Sequence, residues 1–176
     1  MSIRAATPDD AAAIARVHVD SWAATYAAVF PPKVFDEYPL SARERTWQRT
    51  THAARTRPGH RIEVLVAERA GEILGFVSLG PFRAPAGVAV EATRGELNAI
   101  YLAPAHLRQG IGSALFVAGR HWLRSAGFSD MRLWVIEGNP AAHFYRAHGG
   151  VLVEEKDFEL HGSSVAEQCF LFMLDD

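Results

Sequence analysis

Apolar residues fall into two patterns along this chain. Short runs rich in Val, Ile, Leu and Phe predict strands over Ser2–Ala6, Ile62–Glu68, Glu72–Leu79, Leu97–Leu102, Met131–Ile136, Val151–Phe158 and Val165–Leu174. Between them, apolar residues recur at helical spacing. Ala12, Ile14, Ala15, Val17 and Val19 predict a helix running to about Trp22–Tyr26. Thr7 caps it, Pro8 takes its first turn, and Asp9 and Asp10 face its positive end. Pro31-Pro32 breaks the chain, and Ser41-x-x-Glu44 reads as a capping box opening a second helix through Trp47, which Arg57-Pro58-Gly59 ends. A third helix ends near Gly127, and Asn139-Pro140 opens a short fourth one closed by Gly149-Gly150. Arg69-Ala70-Gly71 and His161-Gly162-Ser163-Ser164 read as hairpin connections, and Pro81–Val90 as a loop. The pattern predicts an α+β fold, a mixed and mainly antiparallel central sheet of about six to seven strands flanked by helices, in a single domain over residues 1–176.

One stretch organises the rest. Leu97–Leu102 is a pleated apolar strand, stopped by Pro104, which cannot continue a ladder. After Ala105–Gln109 comes Gly110-Ile111-Gly112, and Ser113–Ala118 opens the third helix. Glycines there let several backbone N–H groups point at one spot, and the helix N-terminus adds its free donors and partial positive charge. Such a site favours a phosphate or pyrophosphate. A dinucleotide fingerprint would place Gly or Ala where Leu115 stands, with its glycines directly after the strand. Glu137 after a strand suits a nucleotide site only superficially, and the Gly-Lys-Ser/Thr of a P-loop is absent.

Composition narrows the class. With 176 residues, 49% of them hydrophobic, the chain can bury a proper core. A net charge of −2 gives no polyanion signature, so nucleic acid is not an expected partner. No apolar run is long enough to span a membrane, and the first residues lack a signal-peptide core. The lone Cys169, in an apolar run, reads as core filler in a reducing compartment, and the expected location is cytoplasmic. Of the eight histidines, none forms a His-Glu-x-x-His pattern, and His143 and His148 are wrongly spaced, so no metal is expected. His106 stands close to the glycine turn.

A second motif lies further on: Asn139-Pro140-Ala141-Ala142-His143-Phe144-Tyr145-Arg146-Ala147-His148-Gly149. Each residue has an ordinary structural use there, as cap, first turn, packing or stop. Together with Leu107-Arg108-Gln109-Gly110-Ile111-Gly112, however, the segment resembles the GNAT superfamily of N-acetyltransferases. That family carries Gln/Arg-x-x-Gly-x-Gly/Ala between a strand and a helix, followed by Asn-x-x-Ala-x-x-Phe-Tyr-x-x-x-Gly. Leu107 departs from the first pattern, which weakens a side-chain role there but not the backbone cradle.

The resemblance implies acetyl-CoA as co-substrate. Its pyrophosphate would rest on the backbone of Leu107, Arg108, Gln109, Gly110, Ile111, Gly112 and Ser113, and its pantetheine arm beside Ile100, Tyr101 and Leu102, with Asn139 nearby. Tyr145 would be the general acid. Glu96 resembles the position where some members place a base glutamate, against the alternative of a solvated strand-end carboxylate. The chemistry asks for such groups, because an amine must lose a proton before attack and a leaving thiolate gains from one. Trp22 and Tyr26, one helical turn apart, would wall the acceptor site. The expected acceptor is a small primary amine: no acidic run suits a basic tail, and Trp22, Tyr26 and Phe30 suit a compact pocket. A protein N-terminus or lysine, and a non-catalytic acyl-CoA-binding module, stand as alternatives, and a homodimer is left open.

Overall fold

The structure, a computed structural model, describes residues 1–27, 30–36, 39–56, 59, 61–84, 89, 91–160 and 163–174. Strand β1 (Ser2–Ala5) leads through a short 3-10 turn at Pro8–Asp10 into helix α1 (Ala11–Tyr26). Helices α2 (Pro32–Asp36) and α3 (Leu40–Thr56) follow, then strands β2 (Glu63–Arg69), β3 (Glu72–Pro81) and β4 (Arg94–Leu102). Helix α4 (Ile111–Ser125), strand β5 (Asp130–Ile136), helix α5 (Ala141–Ala147) and the hairpin β6 (Val151–Leu160) and β7 (Ser163–Met173) complete the order.

The strands form one seven-stranded mixed sheet in the order β1-β2-β3-β4-β5-β7-β6. Every pair is antiparallel except β4 with β5. Central strand β3 is buried at every position from Ile73 to Gly80, as a strand covered on both faces must be. One face packs Leu79, Leu97, Met131 and Leu133 against Ile111, Leu115, Phe116 and Leu123 of α4. The other packs Val64, Val66 and Phe76 against Ile14, Ala15 and Trp47 of α1 and α3.

The parallel pair matters most for the site. Only Arg94, Gly95 and Glu96 of β4 stand opposite β5, at Asp130, Met131 and Arg132. Beyond them the two strands part. A bulge assists the divergence: Ser78 opposes Ala99 and Leu79 opposes Leu97, so Asn98 is the extra residue of β4. The C-terminal half of β4 therefore has a backbone edge that β5 does not pair.

Several local expectations needed correction. Chain breaking at Pro31-Pro32 is followed at once by α2, because Pro32 at a first helical position costs nothing. Ser41 is no cap, since α3 begins at Leu40 and Pro39 O accepts the N–H groups of Ala42 and Arg43 at 2.9 and 3.2 Å. Strand β4 starts at Arg94, so Glu96 lies inside it, not at its opening. The Arg57-Pro58 stop, the middle of the Pro81–Val90 loop and the His161-Gly162 turn lie outside the described residues.

Gly95 sits where β4 and β5 are still joined. A Cβ there would lie 2.9 Å from Asp130 O and 3.1 Å from a Leu123 methyl. Gly95→Ala is therefore expected to lower stability by about 1–3 kcal/mol, as overpacking does. Urea denaturation checks this, and an unchanged midpoint would show that the strands can yield there.

Candidate active site

The glycine turn is built as its sequence suggests. Arg108 and Gly110 both adopt positive φ, 59° and 78°, which rotates successive peptide groups toward one side. The left-handed conformation is natural for Gly110 and uncommon for Arg108. Gln109 Nε2 donates to Ala105 O at 3.3 Å, tying the turn back. The first helical bond of α4 runs from Ala114 N–H to Gly110 O at 3.1 Å. The N–H groups of Ile111, Gly112 and Ser113 thus have no acceptor within the helix. Ile111 puts its side chain into the core, so only its backbone is offered, while Leu107 is exposed. A Cβ at Gly112 would meet a Leu102 methyl at 3.4 Å, an ordinary contact. The turn can hold an anion against the end of β4. His106 is drawn the other way, its Nε2 3.3 Å from Glu72 Oε1.

Along the free half of β4, side chains alternate. Ile100 and Leu102 pack on the α4 side. Tyr101 turns to the opposite face, where it stacks on His18 at 4.6 Å between ring centroids. Across the gap stands α5. Asn139 caps it, its Oδ1 accepting the Ala141 N–H at 2.9 Å, and its Nδ2 donates to the Tyr26 hydroxyl at 2.7 Å. Tyr26 is thereby engaged in the structure, and Trp22, beside it, packs on Phe30 and Phe35. Tyr145 is 6% exposed, wedged among Phe116, Phe144 and Phe170. Burial pushes its phenol well above the ordinary range, and the phenols of Tyr101 and Tyr26 add to the shift. The three hydroxyls are close enough to feel one another's ionisation. All three retain their protons at neutral pH, Tyr101 and Tyr26 also being raised by burial.

Glu96 is 4% exposed and sits at the closed end of the gap. Its Oε2 accepts the Arg83 backbone N–H at 2.7 Å, its Oε1 accepts Arg83 Nη2 at 2.6 Å, and the Nε–H is shared between Oε1 at 3.2 Å and Oε2 at 3.3 Å. Both oxygens are thus engaged by one residue. A proton reaches this carboxylate where the long, shared Nε–H bond to Oε2 yields.

On the α1/α3 face lies a cleft of about 560 Å³, walled by His18, Trp22, Arg43, Trp47, Arg83 and Tyr101. Asn98 lines it from the bulge, with its Oδ1 lacking a hydrogen-bond partner among the described residues. Of these, the sequence points only to Trp22 and Tyr101 as site residues, and places Trp47 merely on its helix. His18 and Arg43 had a signal: His18 is one turn before Trp22, and Arg43 one turn before Trp47, so each shares a helix face with an aromatic residue. Arg83 and Asn98 had none, since their places depend on strand register. His18 Nδ1 accepts Trp47 Nε1–H at 3.1 Å, which puts the ring proton on Nε2. Burial, with Arg43 nearby, lowers its pKa to about 4, so the ring is neutral at neutral pH.

Residues 17–149 match the model of the acetyltransferase (GNAT) family. The chain is 38% identical over 168 residues to an uncharacterized N-acetyltransferase of Bacillus subtilis, YuaI, with 95% of this chain and 90% of that protein covered. Among solved structures it superposes on yncA from Salmonella typhimurium, solved with its cofactor acetyl-CoA (TM-score 0.71, 21% identity, 99% and 94% of the two chains). It also superposes on the ribosomal-protein-alanine N-acetyltransferase of Brucella melitensis (TM-score 0.73, 22% identity, 98% and 99%).

The neutral, buried His18 ties stability to pH. Its folded pKa of about 4 lies below the unfolded value near 6.5, so the unfolded state binds more protons between the two. Stability is present above about pH 6.5 and is lost as the pH falls toward 4. Between pH 7 and 5 the wild type should lose about 2 kcal/mol more than His18→Asn, which keeps an acceptor for Trp47 but does not titrate. Parallel stability curves from urea titrations at the two pH values would contradict this.

Proposed function

Because this chain belongs to the acetyltransferase (GNAT) family, we propose that it moves the acetyl group of acetyl-CoA directly to a small primary amine. The observation that carries this reading is the parting of β4 from β5 beyond Glu96 and Arg132, with an anion-binding helix end on one face of the sheet and a walled cleft on the other. When bound, acetyl-CoA supplies an acyl group activated as a thioester.

The residues present fit that molecule. The N–H groups of Ile111, Gly112 and Ser113 hold the pyrophosphate, helped by the helix dipole and the Arg108–Gly110 turn. The unpaired edge of β4 from Ile100 to Leu102 offers backbone groups to an amide-bearing arm, in the manner of an added strand. Asn139, fixed by Tyr26 and by the start of α5, lines the other side of the gap. That a solved structure of similar fold holds acetyl-CoA supports the same assignment.

Tyr145 holds a proton at its hydroxyl and passes it to the departing thiolate. The structure supports this with a qualification of chemistry. A free phenol would match a thiolate in basicity, but burial makes this one a weaker acid, so its proton is always present and less readily given. Its contribution therefore belongs at the low end for a single acid, about 10²-fold. Glu96 takes the amine proton through water at Oε2, in place of the long Nε–H bond there, and its pair with Arg83 holds the carboxylate in place. The cleft's size and aromatic walls favour a small acceptor over a chain.

Two variants separate binding from chemistry. Gly112→Asp has room to fold, yet places a like charge at the pyrophosphate, so calorimetry should show weakened acetyl-CoA binding. Tyr145→Phe should bind acetyl-CoA normally while kcat falls about 10²-fold. Unchanged affinity in a folded Gly112→Asp would displace the cofactor from this turn, and unchanged kcat in Tyr145→Phe would remove it as the acid.

Glu96→Gln should slow turnover most at neutral pH and least at high pH, where free amine is abundant. A pH–rate profile superimposable on that of the wild type would take Glu96 out of the mechanism.

A further inference from the structure

We propose that the Arg83 guanidinium is a displaceable counter-ion, holding at Glu96 the seat that the acceptor takes as an ammonium ion, so that entry of the amine exchanges one cation for another. The inference rests on the reading of Glu96 as the group that meets the acceptor amine, and it names what opens that seat.

The two partners differ sharply in exposure. The Glu96 side chain is 5% exposed, and the Arg83 side chain that covers it is 70% exposed. Arg83 lines the α1/α3 cleft, whereas Glu96 does not. The guanidinium is thus the wall between the cleft and the acid. Arg132 stands opposite Glu96 across the parallel ladder, but its guanidinium lies over the Phe82 ring at 5.5 Å, and its Nε has no hydrogen-bond partner among the described residues. Among those residues, the ion pair to Glu96 is that of Arg83.

The energies of the two partners are as uneven as their exposure. Among the described residues the Arg83 guanidinium bonds to Glu96 alone, and its Nε–H is stretched between two oxygens at 3.2 and 3.3 Å. Arg4, by contrast, is 38% exposed and grips Asp10 through two nitrogens and Glu68 through a third. An exposed arginine that releases its partner returns to water, so it loses little. Glu96 has no such recourse, because without a cation it becomes a buried and unmatched charge. The seat therefore opens to a cation and stays shut to a neutral molecule of the same shape. The 2.7 Å bond from the Arg83 backbone N–H does not depend on the guanidinium, and it keeps the carboxylate in place during the exchange. Departure of the guanidinium frees Oε1 of both its bonds and Oε2 of the long one, and an ammonium brings three donors to them. From that seat the ammonium gives one proton to the carboxylate through water, and the neutral nitrogen is left beside the parting of β4 and β5.

The test takes the best acceptor from a panel of small primary amines, at saturating acetyl-CoA, and measures its KM in the wild type, Arg83→Ala and Arg83→Lys. Freed of the internal competitor, Arg83→Ala should lower that KM about fivefold, the upper range for an ion pair made by an exposed side chain, with the KM of acetyl-CoA unchanged. Arg83→Lys, a point charge without the planar fork, should fall between the two. Millimolar guanidinium ion, against sodium at the same ionic strength, should compete with the amine about fivefold more strongly in Arg83→Ala than in the wild type, which a merely structural role for Arg83 would not produce. A melting curve accompanies each variant, and where Arg83→Ala does not fold, the KM of Arg83→Lys decides. An acceptor KM raised or unchanged in the folded variants, or guanidinium no better an inhibitor than sodium in Arg83→Ala, would overturn this inference and leave the small-amine reading standing. Acetylation of peptides with no small amine accepted by the wild type, or no acetyl transfer at all, would overturn the small-amine reading and this inference with it.

Discussion

The separation of two parallel strands governs this molecule. Strands β4 and β5 begin side by side, keep three residue pairs, and then leave each other. Backbone N–H and C=O groups on the freed edge of β4 still require partners, and an edge inside a sheet cannot simply be left bare. A ligand with amide groups is one way to satisfy it. The bulge at Asn98 makes the opening tolerable, because the extra residue bends β4 while its antiparallel ladder to β3 resumes on either side. Tight packing at Gly95 holds the closed end. The opening is therefore part of the sheet's construction, and the helices on either face are arranged around it.

On the proposed reading, the two substrates approach from opposite faces. Helix α4 presents its unpaired N–H groups beside Leu102 on one side. Helices α1 and α3 enclose the cleft on the other. Between them the ionisable groups are held in defined states. The phenols of Tyr26, Tyr101 and Tyr145 are kept protonated by burial, and His18 is kept neutral. Glu96 is almost wholly buried, and Arg83 compensates its charge with four hydrogen-bond contacts. Removing Arg83, itself exposed, would leave the buried Glu96 charge unmatched, which is costly. This pair therefore couples the floor of the gap to the rim of the cleft.

Much of this could be read from the chain. The strands of the sheet, the glycine turn before α4, the stop at Gly127 and the Asn139 cap all depend on local rules. At Gly127 the structure shows the expected closure, with Gly127 N–H bonded to Arg124 O at 3.0 Å and Phe128 N–H to Leu123 O at 3.1 Å. What escaped the sequence depends on register and on distant pairing. Nothing near Asn98 announces a bulge, since the mismatch exists only relative to β3. Arg83 finds Glu96 across a loop, and no spacing rule connects them. Tyr101 shares β4 with Ile100 and Leu102, but strand alternation turns its ring to the opposite face, against His18 of α1. Ser41 carried a capping signature that the Pro39 carbonyl made unnecessary.

The most direct measurement of whether the gap holds the cofactor is hydrogen–deuterium exchange of the protein with and without coenzyme A. Slowed exchange should appear at the amides of Ile100–Leu102 and of Ile111–Ser113, with little change in the β6 strand at the far edge of the sheet. Unchanged exchange in both segments at saturating coenzyme A, with protection on another surface, would contradict the parting of β4 and β5 as the binding site.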